Sequence, residues 1–146
     1  MKTLIKVTVG IISAYLLDVT LREIYVSRKA RRVANELGKP MLNVGSGAGL
    51  SSLTGPKLRG DVNCDIAAPK DAPCSPKTVC FCDAEDLSRF KDKEFGVALA
   101  VNVLNYVPNR QLALQELNRV ADVVVESNNL LPWMQIGPGP KFPVRL

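Results

Sequence analysis

The chain of 146 residues has the length of one domain, and its 47% hydrophobic and 23% charged content excludes a disordered or fibrous protein. It contains no histidine, which excludes Ser-His-Asp and Cys-His catalysis and any His-ligated metal site, and the 5% aromatic content argues against a base-stacking platform. The net charge of +5 arises in residues 1–39, where eight Lys and Arg outnumber three Asp and Glu. We therefore expect a membrane or another polyanion near that end, and no nucleic acid partner.

Residues 1–21 are predicted to form a membrane-anchor helix. The run from Val7 to Leu17 is uncharged, and Lys6 and Asp18 flank it. A span needs ~20 apolar residues, so this is a marginal transmembrane helix, and the alternative is a helix packed on the domain or on a partner. More basic residues follow the run than precede it, which predicts a single-pass membrane protein with its domain on the cytoplasmic side.

Residues 22–39 are predicted to continue as a basic amphipathic helix. An apolar stripe at helical spacing is formed by Val26, Ala30, Val33 and Leu37. Gly38 is a suitable C-terminal stop, and Pro40 cannot continue the helix. The opposite face carries the arginines and would lie against anionic headgroups or in solvent.

A glycine-rich turn follows the first predicted strand, Met41 to Val44. Its sequence is Gly45-Ser46-Gly47-Ala48-Gly49, and small residues at this place let the backbone approach a bound ligand closely. The dinucleotide fingerprint requires a third glycine at position 50, where this chain has leucine. The turn therefore favours a nucleoside ligand without a pyrophosphate over the dinucleotide of an oxidoreductase.

The remainder of residues 40–126 alternates between apolar strands and connecting segments. Strands are predicted at 62–66, 79–82, 95–103 and 122–126, and a helix at 111–120. This pattern predicts an α/β fold, a Rossmann-like, doubly wound, mostly parallel sheet preceded by the N-terminal hydrophobic helix. Asp65 ends the second strand, where an acid can accept hydrogen bonds from two ribose hydroxyls.

The segments LNVGSGAG, VNCDI, DAEDL, FGVALAVNVLNYV and ELNRVAD resemble the successive motifs of class I S-adenosylmethionine-dependent methyltransferases of the small type 11 kind. The resemblance covers residues 40–126 and implies S-adenosylmethionine as the cofactor. The cofactor-binding residues that it implies are Gly45, Ser46, Gly47, Asp65, Ile66, Asp83, Ala84 and Asn102. The first three would line the methionine and ribose, the fourth would hold the ribose hydroxyls, the next three would surround the adenine, and the last would lie near the substrate entrance.

Two departures from the family pattern affect the expected architecture. The acid that usually stands two residues before the first glycine is Asn43 here, and only residues 127–146 follow the fifth strand, where members normally add two more strands. The resemblance therefore implies a domain truncated after strand five. The tail is rich in proline and glycine but carries Trp133 and other apolar residues, so we expect it to fold back over the sheet or to dock on a partner protein.

No catalytic residue is predicted. Methyl transfer from a sulfonium depends mainly on in-line placement of the acceptor, and a base is needed only where the acceptor must lose a proton. Without histidine, the candidate bases are Asp83, Glu85, Tyr106 and Glu126, and their spacing distinguishes none of them.

The four cysteines stand at positions 64, 74, 80 and 82 and lack the paired spacing of zinc sites. Cys80 and Cys82 fall on one face of a predicted strand, and Cys64 lies on a neighbouring strand. We expect small buried thiols and no metal site, with a metal or a disulfide as the alternative.

The function predicted from the sequence is a membrane-tethered S-adenosylmethionine-dependent methyltransferase that acts on a small molecule, a lipid or a protein. The alternative is a catalytically inactive methyltransferase fold that serves as a membrane-anchored structural subunit of a larger assembly. Binding of S-adenosylmethionine separates the first hypothesis from an oxidoreductase.

Overall fold

A computed structural model describes residues 2–47 and 56–127. Its elements are α1 (Lys2–Leu37), β1 (Met41–Val44), β2 (Val62–Asp65), β3 (Val79–Phe81), β4 (Phe95–Val101), α2 (Arg110–Val120) and β5 (Ala121–Ser127). Strand β4 ends two residues before its predicted end, because Asn102 leaves the extended conformation with a φ of +58°. The expected docking of the C-terminal tail concerns residues 128–146, which lie outside the described residues.

The five described strands form one parallel sheet in the order β3-β2-β1-β4-β5. Leu42 of β1 is in register with Val62 of β2 on one side and with Ala98 of β4 on the other. The chain therefore builds outward from β1 to β3 and then returns to the opposite side of β1. This arrangement confirms the predicted Rossmann-like parallel sheet and creates a topological switch point between β1 and β4.

Alternate strand residues pack against helices on opposite faces of the sheet. The face covered by α1 contains Ala30, Ala34, Met41, Val97 and Leu99. The face covered by α2 contains Leu42, Val44, Ala98, Ala113 and Leu117. Because β1 and β4 are buried on both faces, their sequences are almost continuously apolar, as expected for a doubly wound sheet.

Helix α1 runs antiparallel to the strands. Ala34 lies beside Gly96 at the start of β4, whereas Glu23 contacts Asn102 just beyond the end of β4. The helix ends at Leu37, and Gly38 follows with a φ of +63°, which confirms the predicted glycine stop. The part of α1 before Glu23 therefore extends past the carboxyl ends of the strands.

The predicted single-pass membrane anchor over residues 1–21 is wrong. Among the described residues, no helix combines the length and the apolar character that crossing a membrane requires. The uncharged run from Val7 to Leu17 is about half of the ~20 residues that a span requires. It is followed by an exposed ion pair, in which Asp18 accepts from Arg22 at 2.8 Å. The predicted cytoplasmic orientation of the domain depended on this anchor and is therefore wrong as well.

The expected buried thiols are also wrong, because the four cysteines form two disulfides, Cys64–Cys82 and Cys74–Cys80. Cys64 and Cys80 are register partners on β2 and β3, yet each of them bonds to a cysteine outside this register pair. The Cα–Cα separations of 5.4 Å and 4.7 Å lie in the range that disulfides require. Spacing along the chain could not show this pairing, because Cys74 comes from the connection between the strands.

Arg119 joins helix α2 to the segment that precedes β4. Its guanidinium donates to the carbonyl oxygens of Leu87 at 2.9 Å and Phe90 at 3.0 Å, and it pairs with Asp92 and Glu116. Glu116 also accepts from the backbone N–H of Leu87 at 2.8 Å. The hydrogen bond from Arg119 holds the pKa of Glu116 below its ordinary value, and the same pairing raises the pKa of Arg119.

Replacement of Arg119 by alanine is expected to lower the free energy of unfolding by about 1–2 kcal/mol, since it removes the guanidinium that donates to two carbonyl groups and to Glu116. Replacement by lysine should cost less, because a point charge keeps the ion pairs but cannot bridge both carbonyls. Urea denaturation of both variants measures the difference. Equal unfolding midpoints for the alanine variant and the wild type would contradict this role.

Candidate functional site

The candidate site lies at the carboxyl ends of β1, β2 and β4, at the switch point of the sheet. In open parallel sheets, ligands bind in the crevice outside this edge. The predicted site residues follow β1, β2, β3 and β4 directly, so the fold brings all of them to the same edge. The order of the strands along the chain is enough to predict that these residues share this edge.

The first part of the glycine turn adopts a conformation that requires glycine. Gly45 and Gly47 have φ values of +72° and +77°, in the left-handed region. A Cβ on Gly45 would collide with the side chain of Val103. The N–H groups of Gly45 and Ser46 donate to the carbonyl oxygen of Cys64 at 2.8 Å and 3.1 Å, so the turn is tied to the end of β2. Gly49 and Leu50 of the predicted motif lie outside the described residues.

Asp65 connects the end of β2 to the glycine turn. Its Oδ2 accepts from the N–H of Gly47 at 2.8 Å, and its Oδ1 accepts from the N–H of Ala67 at 2.9 Å. The next residue, Ile66, is 64% exposed although it is apolar. An acid and an exposed apolar side chain thus stand side by side, next to the turn.

Asp83 and Ala84 follow β3 in a tight turn. The carboxylate of Asp83 accepts from the N–H of Glu85 at 2.9 Å, and its carbonyl accepts from the N–H of Asp86 at 3.0 Å. Ala84 is buried against the core of the sheet. The turn is fixed to the end of β2, because the N–H of Cys82 donates to the carbonyl of Asp65 at 3.2 Å.

Asn102 lies where β4 and β5 end. Its backbone N–H donates to the carbonyl of Ser127 at 2.7 Å, and its side-chain amide donates to Glu23 of α1 at 3.2 Å. Its φ of +58° turns the chain away from the sheet toward Tyr106. Asn102 therefore connects three elements at the edge where the other predicted residues lie.

The family profile described as "Methyltransferase domain" matches residues 42–122, which is more than half of the chain. The chain belongs to the class I S-adenosylmethionine-dependent methyltransferase family. Comparison with curated proteins and with solved structures finds no match. The match extends from β1 to the start of β5, so it contains the glycine turn and every predicted cofactor residue.

The methyltransferase has a buried amide where the family pattern has an acid. The side-chain nitrogen of Asn43 donates to Ser46 Oγ at 3.1 Å, to the carbonyl of Lys57 at 2.7 Å and to Asn63 Oδ1 at 3.1 Å. All three partners can accept, and a carboxylate at this position has no proton to donate to them. The amide therefore suits the local network, which fixes the shape of the turn.

Glu23 of the methyltransferase is a site residue that sequence reasoning missed. Its side chain is 7% exposed, and its Oε2 accepts from Lys57 at 2.6 Å and from Arg59. Its Oε1 accepts from Asn102. Burial alone would raise the pKa of Glu23, but the hydrogen bonds and charges of Lys57 and Arg59 outweigh burial and lower it. The carboxylate therefore stays ionised and holds α1, residues 57–59 and the end of β4 together.

The signal for Glu23 was present in the sequence. It lies on the same helical stripe as Ala30 and Ala34, at the seven- and eleven-residue spacings that place side chains on one face of a helix. An acid on an apolar stripe needs a buried partner. Its partners come from residues 57–59, far along the chain, and so the sequence did not identify them.

Three of the four candidate bases in this methyltransferase already have structural partners. Glu85 accepts from the N–H of Asn109 at the start of α2, and Glu126 forms an ion pair with Arg110 at 2.8 Å. Asp83 closes the turn after β3, whereas Tyr106 is 71% exposed. The geometry thus distinguishes none of the four as a base.

Proposed function

We propose that this methyltransferase binds S-adenosylmethionine between the glycine turn and the ends of β2 and β3. The observation that carries the proposal is the 2.8 Å hydrogen bond between Gly47 N–H and Asp65 Oδ2. It joins the turn that leaves room for a ligand to the acid that is suited to ribose hydroxyls. A nucleoside bound at either residue would therefore contact the other.

The residues at this edge fit the cofactor in shape and in polarity. Gly45 and Gly47 provide a backbone surface without side chains, and Asp65 provides carboxylate oxygens for the ribose. The exposed Ile66 would pack on the adenine, next to the turn formed by Asp83 and Ala84. The bound cofactor would supply a methyl group from its sulfonium. The rest of the cofactor would then leave as a neutral thioether.

The protein's contribution to the reaction would be placement of the acceptor in line with that methyl group. Asn102 would lie at the entrance, because it ends β4 at the switch point and its backbone is fixed by Ser127. Holding two reactants in reactive geometry is equivalent to effective concentrations of about 10⁵ M or more. We propose no base for this step. The acceptor would be a molecule that reaches this edge of the sheet.

The alternative of an inactive structural subunit is less well supported. The residues of the described edge retain the glycine conformations and the acid that cofactor binding needs. No contact among the described residues favours a structural role over an enzymatic one.

Titration calorimetry with the full chain is expected to show binding of S-adenosylmethionine and of its demethylated product, and no binding of NAD. The Gly47→Val variant should lose cofactor binding, because its side chain would fill the space beside Asp65 and disfavour the φ of +77°. Circular dichroism of the variant should retain the signal of the sheet and helices. Absence of S-adenosylmethionine binding in a folded wild-type chain would overturn the proposal.

A further inference from the structure

Among residues 2–47 and 56–127, neither helix packs extensively on strands β2 and β3. Their connection, residues 66–78, contains turns and the isolated bridge Ser75–Thr78 but no helix. Helix α1 packs on β4, β5 and β1, and helix α2 packs on β5 and β4. Strand β3 is also a sheet edge of three residues. Within the described part of the chain, the pair of strands and their connection, which we call the β2–β3 unit, is therefore held without a packed helix.

Two disulfides cross-link the β2–β3 unit. Cys64–Cys82 joins β2 to the residue that follows β3, and Cys74–Cys80 joins the connection to β3. Cys64, Cys80 and Cys82 are buried in the same apolar cluster as Leu42 of β1. The cystines thus fix β3 against β2.

The Cys64–Cys82 disulfide lies directly behind the proposed cofactor site. The carbonyl of Cys64 accepts from Gly45 and Ser46, and the next residue, Asp65, accepts from Gly47. On the other side of the disulfide, the N–H of Cys82 donates to Asp65, and Asp83 follows. Each half of the disulfide therefore neighbours an acid of the site, and the first half also holds the glycine turn.

We propose that the cofactor site is fully assembled only while the Cys64–Cys82 disulfide is oxidised, so that the protein acts in an oxidising compartment and loses cofactor affinity when a dithiol reduces it. The affinity part of this inference rests on the proposed function. Structural disulfides persist in oxidising compartments and are reduced elsewhere.

The reduction is a thiol–disulfide exchange. One thiolate of the dithiol attacks a cystine sulfur, the cystine S–S bond breaks, and the second thiol of the reductant displaces the remaining cysteine. Two electrons and two protons pass to the cysteine pair, which separates as thiols, and the reductant leaves as its own disulfide. Without the cross-link, β3 and the carbonyl of Cys64 are free to move away from the glycine turn.

Amide hydrogen exchange of the full chain tests the structural part without any cofactor. The oxidised chain should contain no alkylatable thiols, and dithiothreitol should expose four. On reduction, exchange at Gly45, Ser46, Gly47 and Cys82 should accelerate by about tenfold or more, because local opening controls the exchange of hydrogen-bonded amides. The amides of α2 and β5 serve as the control and should retain their protection.

Titration calorimetry with S-adenosylmethionine tests the affinity part on the same two samples. The dissociation constant should rise by about tenfold or more on reduction. The paired variant Cys64→Ser with Cys82→Ser should reproduce this loss. The variant Cys74→Ser with Cys80→Ser is the matched control: it retains the cystine next to Asp65 and should lose less affinity.

The outcomes separate this inference from the proposed function. Equal affinity and equal exchange in the oxidised and reduced chains would overturn the inference and leave the proposed function standing. Binding in neither state, with exchange that accelerates on reduction, would overturn the proposed function and the affinity part together. If the paired variants do not fold, reduction of the wild-type chain still decides, because protection in α2 and β5 reports whether the domain remains folded.

Discussion

Replacement of Asp65 by alanine is expected to weaken S-adenosylmethionine binding by roughly ten- to a hundredfold. Hydrogen bonds to a charged group contribute about 1.5–3 kcal/mol, and each 1.4 kcal/mol is about tenfold in affinity. The variant removes the oxygen that would accept from the ribose, and it also frees the N–H of Gly47. Titration calorimetry of the folded variant measures the loss.

The controls for this prediction separate ribose binding from a general charge effect. Asp71→Ala removes an exposed acid from the connection after β2, and it should bind the cofactor as the wild type does. Asp65→Asn keeps an acceptor oxygen but introduces N–H donors, and we expect its affinity to lie between those of the wild type and the alanine variant. An alanine variant with unchanged affinity would show that Asp65 does not hold the ribose.

Much of the fold could be predicted from local sequence patterns. Residues Met41–Val44 and Phe95–Val101 are almost wholly apolar because both faces of the sheet are covered, and this pattern located both central strands. Gly38 ended α1 as predicted, because a left-handed residue closes the last turn. These features depend on residues only a few positions apart along the chain, and the periodicity of hydrophobic residues is informative over that distance.

The sequence predicts which residues the strand ends bring to the candidate site. It does not predict side-chain contacts between residues that are distant along the chain. Gly45 and Asp65 stand next to strand ends, so the parallel topology alone brings them together. The role of Asn43 as a donor depends on Lys57 and Asn63, which no local pattern connects to it. The cofactor-binding roles of all the predicted residues, Gly45 and Asp65 included, stay predictions.

Two predictions were wrong because they depended on the environment of the chain. The N-terminal apolar run has about half the length of a span, and so hydropathy alone was a weak guide to its surroundings. The four cysteines allow three pairings, and the observed Cys64–Cys82 and Cys74–Cys80 pairs depend on where the connection between β2 and β3 places Cys74. Both errors show that burial and partners follow from tertiary structure.

Replacement of Glu23 by glutamine is expected to lower the free energy of unfolding by about 2–4 kcal/mol, since removal of the buried carboxylate leaves a partly buried cation uncompensated. Arg59 is the more affected partner, because its side chain is 19% exposed, whereas that of Lys57 is 45% exposed and keeps part of its hydration. The amide has the shape of the carboxylate, so the change reports charge and not volume. Urea denaturation at neutral pH measures it.

Glu36→Gln is the matched control on the same helix. Glu36 pairs with Arg32 in solvent, with side chains 61% and 81% exposed, so this variant should change stability by less than about 0.5 kcal/mol. If Glu23→Gln is as stable as Glu36→Gln, the buried cluster does not stabilise the fold.

The stability of the Glu23 cluster should also depend on pH in a defined direction. Because the pKa of Glu23 in the folded chain lies below its ordinary value of 4.5, protonation favours the unfolded chain. The stabilisation is therefore present above that value and is lost as the pH falls through the lower, folded pKa. The gap in unfolding free energy between the wild type and Glu23→Gln should stay constant near neutral pH and close in acid. A gap that persists below the folded pKa would show that the charge of Glu23 is not what joins α1 to residues 57–59 and Asn102.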